Sequence, residues 1–159
     1  MIGKMIKNVR ENTPLVHNIT NYVTVNDCAN AIIAIGGSPI MSDEIKDVKD
    51  ITSICNALNI NIGTLNRRTI KSMYKAGTVS NKLKHPVILD PVGAGASSLR
   101  TVTAKNLINK IHNLHSFLSN ISFIISQKQN FDKQNHFVCI FSFYTQFYRL
   151  YFYNFNLIK

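Results

Sequence analysis

Residues 87–96 read VILDPVGAGA. Three apolar residues, Val87, Ile88 and Leu89, run into an aspartate, a proline and two glycines one residue apart. A short continuous apolar run suits a strand buried on both faces. An aspartate just past such a strand can hold Mg²⁺ directly or through water, because Mg²⁺ takes oxygen ligands and keeps several waters. The glycines after it let backbone N–H groups approach an anion closely. Alone, the stretch is equally well a strand that stops. It is neither GxGxxG nor the phosphate loop GxxxxGK[ST].

Outward from this stretch the chain alternates between strand and helix. Residues 14–19, PLVHNI, read as a short buried strand, and 21–35 carry Val25, Cys28, Ala29, Ile32 and Ile33 at helical spacing. Gly36-Gly37 stops that helix. Ser38–Met41 is extended, since a residue before proline avoids the helical region. Ser42 is the expected N-cap of a helix with Asp43 and Glu44 in its first turn and Ile45, Val48, Ile51, Ile54, Cys55 and Leu58 on one face. Residues 59–62 form a strand ending at Gly63-Thr64. Residues 67–83 form a basic helix with Ile70, Met73, Tyr74 and Leu83 inward, and 100–112 form the last helix. The expected fold is α/β: parallel βαβ units with right-handed crossovers. Ligands then sit at the carboxyl ends of the strands, at His17-Asn18, Met41, Gly63-Thr64 and Asp90.

The segments PLVHNITN (14–21), VNDCAN (25–30), AIGGSPIM (34–41), LNINIGTL (58–65) and PVILDPVGAGAS (86–97) occur in this order. Together, with Arg100-Thr101 following, they closely resemble the hydroxyethylthiazole kinases of the ribokinase-like superfamily, over about residues 8–110. The resemblance implies transfer of the γ-phosphoryl group of ATP to the hydroxyl of 4-methyl-5-(2-hydroxyethyl)thiazole in thiamine salvage. It implies a mostly parallel sheet with helices on both sides, and a homotrimer with the thiazole site near a subunit interface. By the same resemblance Asn21 stands near the thiazole, Met41 lines its pocket, Gly63 and Thr64 border the ligand, and Asp90 with Gly93 and Gly95 lies by Mg²⁺ and the phosphates. The residues themselves leave alternatives: Asn21 as a helix N-cap, Met41 as core, and Asp90 as a cap for the turn before the last helix. His17 reads as a satisfied structural histidine, with no carboxylate partner to make it a base. Cys28 and Cys55 read as inert core.

Composition divides the chain near residue 112. Residues 1–112 hold all seven glycines, four prolines and eight alanines, and no phenylalanine; residues 113–159 hold all nine phenylalanines and four of six tyrosines. A domain needs turn residues, and the second stretch has neither Gly nor Pro. Residues 113–159 therefore read as an irregular, divergent tail: a shifted-frame or otherwise unselected translation of A/T-rich DNA, with a true but unusual C-terminal extension as the alternative. The family's later G-N-x-S-E segment and late glycine-rich anion-hole turn have no counterpart. Asn120-Ile121-Ser122 is followed by Phe123, and no glycine occurs after Gly95. The expected chain is thus a truncated kinase-like half with an impaired ATP site and no identified catalytic base. The alternative is an inactive fragment or a thiazole-binding remnant.

The net charge of +10 is scattered over helices without basic-aromatic runs, which argues against nucleic acid. It would still attract an anionic substrate. Residues 137–148 are too short and polar for a span of about 20 apolar residues, which argues against a membrane. Three cysteines without short spacing give no disulfide framework or zinc site and suit a reduced, cytoplasmic setting. The N-terminus, charged throughout, has no signal-peptide h-region.

Overall fold

The computed structural model describes residues 2–112 and 114–116. The elements run α1 (Ile2–Asn12), β1 (Leu15–Ile19), α2 (Val25–Ile35), β2 (Ser38–Met41), α3 (Val48–Ile54), β3 (Ala57–Asn61), α4 (Arg67–Leu83), β4 (Val87–Asp90), α5 (Ser98–Lys110) and β5 (Leu114–Ser116). The strands form one sheet in the order β2-β1-β3-β4-β5, and every pairing is parallel. This is the α/β alternation expected from the sequence. It continues just past residue 112, where the composition changes, because Val87–Leu89 of β4 pair with Leu114–Ser116. The aromatic-rich stretch 117–159, expected to be irregular, lies outside the described residues.

Strand side chains alternate between two faces. Leu58, Ile60, Val87 and Leu89 pack with Val48 of α3, Met73 and Ala76 of α4, and Ala104 and Leu107 of α5 in the main core. On the opposite face Val16 packs with Val9 of α1 and Cys28 and Ile32 of α2. That second face also carries a polar row. Asn18, Asn59, Asn61 and Asp90 share its parity by register and are all buried.

Several boundaries differ from the sequence reading, each for a local reason. Helix α2 starts at Val25 rather than residue 21, because the Asn21 side chain captures the Val23 and Thr24 N–H groups and holds 21–24 in a turn. Ser42 is not an N-cap. Its hydroxyl donates to Asp47 Oδ2, residues 45–47 form a turn, and α3 begins at Val48. The apolar period that ran on to Leu58 crosses a boundary: α3 ends at Ile54, and Leu58 is a strand residue. Short apolar runs do not separate a buried strand from a helix face. Ile33, Ile54 and Leu83 face outward, and the inner face of α4 is made by Thr69, Ser72, Met73, Ala76, Gly77 and Ser80. Gly77 lets α5's end approach, since a Cβ there would meet Ile111 Cδ1 at 2.6 Å. Ser97 caps α5, accepting from Arg100 N–H.

Candidate functional site

All five strands point the same way, so their carboxyl ends share one edge. That edge brings together Met41 at the end of β2, Asn21 after β1, Gly63 and Thr64 after β3, and Asp90 at the end of β4. Met41 and Asp90 stand on strands three steps apart. At about 4.8 Å per step they are roughly 14 Å apart across the sheet. Asn21, Gly63 and Thr64 lie on the loops between them.

A chain of amides crosses this space, and backbone donors fix its direction. Asn21 Oδ1 accepts from Val23 N–H and Thr24 N–H, each at 3.0 Å, so its Nδ2 faces the other way and donates to Asn61 Oδ1 at 2.9 Å. Asn61 Oδ1 also accepts from Gly63 N–H at 2.9 Å. An N–H can only donate, so Asn61 must turn its own Nδ2 to Asp90, where it donates to Oδ2 at 2.9 Å. Asn61 stands opposite Asp90 in the β3–β4 register, which makes this bond a direct cross-strand pair.

Asp90 is buried, 7% exposed. Burial pushes its pKa up from 3.8 to about 6, and the hydrogen bond from Asn61 pulls it partly back. The carboxylate bonds to Asn61 and makes no bond to the backbone of the following turn, and Ser97 caps α5. The geometry therefore does not support Asp90 as a structural cap.

Gly93 and Gly95 hold positive φ, 71° and 93°, a region that L residues avoid. The turn spends its amides internally: Ala94 N–H on Pro91 O, Gly95 N–H on Thr101 Oγ1, Ala96 N–H on Gly93 O. The cation beside it is Arg100. Its guanidinium lies over Gly93, where a Cβ would meet Nη1 at 2.3 Å, and its Nη2 donates to Gly63 O at 2.7 Å. Arg100 thus ties the glycine turn to the end of β3. Thr64 Oγ1 accepts from Tyr22 N–H at 3.3 Å. A surface cluster closes the rim: Arg68 reaches Asp43 and Glu44, and Tyr22 O–H donates to Asp43 Oδ2.

Met41 ends the edge strand β2 and is 37% exposed, which suits a pocket wall better than core. His17 is fully buried, with Nε2 on Ser42 O at 2.8 Å and Nδ1 on Thr52 Oγ1 at 2.9 Å. Burial lowers its pKa, against smaller raising effects from the Ser42 bond and Asp47. Cys28 and Cys55 are buried, and burial pushes both thiols up to about 11. Asn18 Oδ1 accepts from Asn59 Nδ2 at 3.0 Å, and Asn18 Nδ2 donates to Val16 O.

Sequence reasoning singled out Asp90 and Asn21 but not Asn61, the residue that joins them. A signal was present. Asn59 and Asn61 alternate with Leu58, Ile60 and Ile62, which puts two amides on one face of a buried strand. Buried amides require partners.

Among the described residues no group of three or more His, Cys, Asp or Glu side chains could cage a metal ion. A single carboxylate fits Mg²⁺ that arrives with phosphates and keeps its waters. It does not fit a cation held by protein alone. Among the described residues no helix is long and apolar enough to cross a membrane.

The family model described as "Hydroxyethylthiazole kinase family" matches residues 6–130. A hydroxyethylthiazole kinase of Clostridium acetobutylicum is 64% identical over 111 residues, covering 70% of this chain and 41% of the relative. One of Clostridium beijerinckii is 58% identical over 125 residues, covering 77% of this chain and 45% of the relative. The solved hydroxyethylthiazole kinase protein of Pyrococcus horikoshii superposes with a TM-score of 0.72 at 39% identity, covering 79% of this chain and 50% of that one. The chain therefore spans under half the length of these curated relatives, and it belongs to the hydroxyethylthiazole kinase family.

Proposed function

We propose that the chain serves ATP-dependent phosphorylation of 4-methyl-5-(2-hydroxyethyl)thiazole, as a transferase of thiamine salvage in a reduced, cytoplasmic setting. The observation that carries this is the buried Asp90 carboxylate at the strand-end edge, three strands across from Met41, or roughly 14 Å counted across the sheet alone. That span suits a small aromatic alcohol at one end and a polyphosphate at the other.

In this reading the Met41 thioether packs on the flat, sulfur-containing ring. Asn21, Gly63 and Thr64 border the ring and orient the hydroxyethyl arm toward Asp90. Mg²⁺, when bound with ATP, neutralises charge on the phosphate oxygens. Asp90 would hold it directly or through water, with Gly93 and Gly95 shaping the adjacent backbone. Arg100 keeps the two loops at a fixed separation. Phosphoryl transfer depends on positioning and charge stabilisation, and the late glycine-rich turn that supplies an anion hole in the family has no equivalent after Gly95.

We read residues 1–112 as the N-terminal half of the kinase fold and 113–159 as a shifted-frame or otherwise unselected translation; the alternative is a true C-terminal extension, and the pairing of Leu114–Ser116 with β4 and the family match through residue 130 favour it for the first part of that stretch. Sequencing the locus tests the shifted-frame reading: an uninterrupted frame running on into family-like sequence would overturn it.

The decisive experiment for the function is ADP release from ATP and Mg²⁺ in the presence of the thiazole alcohol, on the full chain and on Asp90→Asn. Turnover abolished in Asp90→Asn supports the kinase. Binding of the thiazole alcohol without any ADP release supports the remnant reading. Absence of both from a folded sample sinks the proposal.

A further inference from the structure

We propose that His17 is a positioning residue for the thiazole pocket: its imidazole clamps the backbone just after Met41 to α3 and so sets where the Met41 side chain stands. The proposal rests on the reading that Met41 lines that pocket.

The argument begins with the edge strand. β2 has four residues and, among the described residues, a neighbour on one side only, so that one ladder holds it weakly. Beyond Met41 the ladder continues through a single long bond, Ser42 N–H to Asn18 O at 3.3 Å. The Ser42 carbonyl receives its hydrogen bond from His17 Nε2 at 2.8 Å, delivered from beneath the sheet. A carbonyl can only accept, so the ring proton is on Nε2. In the neutral ring Nδ1 is then an acceptor; the Thr52 hydroxyl lies 2.9 Å from it and its single proton also has Val48 O at 2.5 Å, so the bond from Nε2 to Ser42 O is the firm arm of the clamp and the contact with Thr52 the shared one. Thr52 is fully buried on α3, so the ring spans from the main core to the rim.

The same clamp organises the rest of the loop. Ser42 O–H donates to Asp47 at the start of α3. Asp43 and Glu44, the next two residues, reach Arg68 of α4, and Asp43 accepts from Tyr22. Met41 is therefore flanked on its C-terminal side by a segment whose position is set by a buried ring. Asp47 acts on His17 through charge alone, without a direct bond to the ring. The geometry gives His17 no path to the reacting atoms, and its role runs through Met41.

The test uses the full chain with ¹³C-methyl methionine and the variants His17→Gln and His17→Leu. Met73, buried in the main core, reports the fold; Met41 reports the pocket wall. Gln keeps an N–H donor for Ser42 O, whereas Leu keeps only volume. The expected result is an unmoved Met73 methyl in both variants, a native Met41 methyl in Gln, and a displaced one in Leu. Affinity for 4-methyl-5-(2-hydroxyethyl)thiazole, measured by calorimetry, should fall about tenfold in Leu and stay within about twofold in Gln. A Met41 methyl that stays put in Leu while Met73 is also unmoved overturns the proposal. Where Leu moves Met73 as well, Thr52→Val decides instead. It removes the hydroxyl beside Nδ1, together with its bond to Val48 O, and keeps the side-chain volume; a Met41 methyl unchanged there overturns the clamp to α3. If Met41 responds as expected but the wild-type chain does not bind the thiazole alcohol, the clamp stands as structure, and both the pocket reading and the positioning role built on it fall.

Discussion

Asn61 Nδ2 donates to Asp90 Oδ2 at 2.9 Å across two neighbouring parallel strands, while Asn61 Oδ1 accepts from Asn21 and from Gly63 N–H. One amide thus joins the loop after β1, the loop after β3 and the carboxylate at the end of β4. It also leaves the carboxylate short of compensation. Asp90 has this one side-chain hydrogen bond among the described residues, and burial outweighs it.

A carboxylate held in that condition costs stability in its charged form. The rise from 3.8 to about 6 corresponds to about 3 kcal/mol at roughly 1.4 kcal/mol per pKa unit. The sign follows from linkage: the folded state binds the extra proton between pH 3.8 and about 6, so folding weakens as pH rises through that window and stays weakened above it. Asp90→Asn is therefore expected to raise the urea midpoint at pH 7.5, by an amount up to about 3 kcal/mol. The gain should vanish toward pH 3.8. A residue that merely capped a turn would show no such gain, because Asn caps about as well as Asp.

Metal affinity should share this ionisation. Mg²⁺ or Mn²⁺ near Asp90 favours the charged carboxylate, so binding in the presence of ATP should weaken as pH falls below about 6. Calorimetric titration with Mn²⁺ and ATP at pH 5 and pH 7.5 measures it. Equal affinity at both values would remove Asp90 from the metal.

Replacing the connecting amide is expected to be costly. Asn61→Leu leaves the Asn21 amide, the Gly63 N–H and Asp90 without their partner. At about 1–3 kcal/mol for each unsatisfied buried group, a loss of roughly 2–4 kcal/mol is expected after partial relaxation. Asp90 should titrate above about 6, since the bond from Asn61 lowers its pKa. Urea unfolding and ¹³C-carboxyl NMR titration check the two effects separately.

Gly93 and Arg100 should be coupled. An alanine at 93 would carry φ +71° and place its Cβ 2.3 Å from Arg100 Nη1. Gly93→Ala alone is expected to cost about 1–3 kcal/mol. In an Arg100→Ala background the steric part disappears, and the cost should drop toward about 1 kcal/mol. A double-mutant cycle in urea gives the coupling, and additive losses would mean that the guanidinium simply moves aside.

On the acid side two histidines work against the fold. Burial lowers the pKa of both His17 and His85, against smaller raising effects, for His17 of the Ser42 carbonyl bond and the charge of Asp47, and for His85 of the nearby Thr52 backbone. The unfolded chain then binds more protons between the lowered values and 6.5, so stability rises with pH through that window and is complete above it. Thermal midpoints of His17→Gln should depend less on pH between 5 and 7 than those of the wild-type chain.

The sequence by itself carried the alternation of strand and helix, the placement of Met41, Gly63-Thr64 and Asp90 at strand ends, and the family. Each of these depends on spacing along the chain: apolar periods, glycine and proline punctuation, and motifs in a fixed order. Boundaries were less legible where a side chain competes for backbone donors. Asn21 delays α2 by holding the Val23 and Thr24 N–H groups, and Ser42 bonds to Asp47 rather than capping a helix. The partnerships within the site came only from the tertiary structure. Asn61 meets Asp90 because β3 and β4 pair in one particular register, and Arg100 reaches Gly63 because the loops after those strands lie side by side. These contacts join residues 29 and 37 positions apart in the chain. Register and loop approach are set by how the whole sheet packs, so no local pattern of residues encodes them.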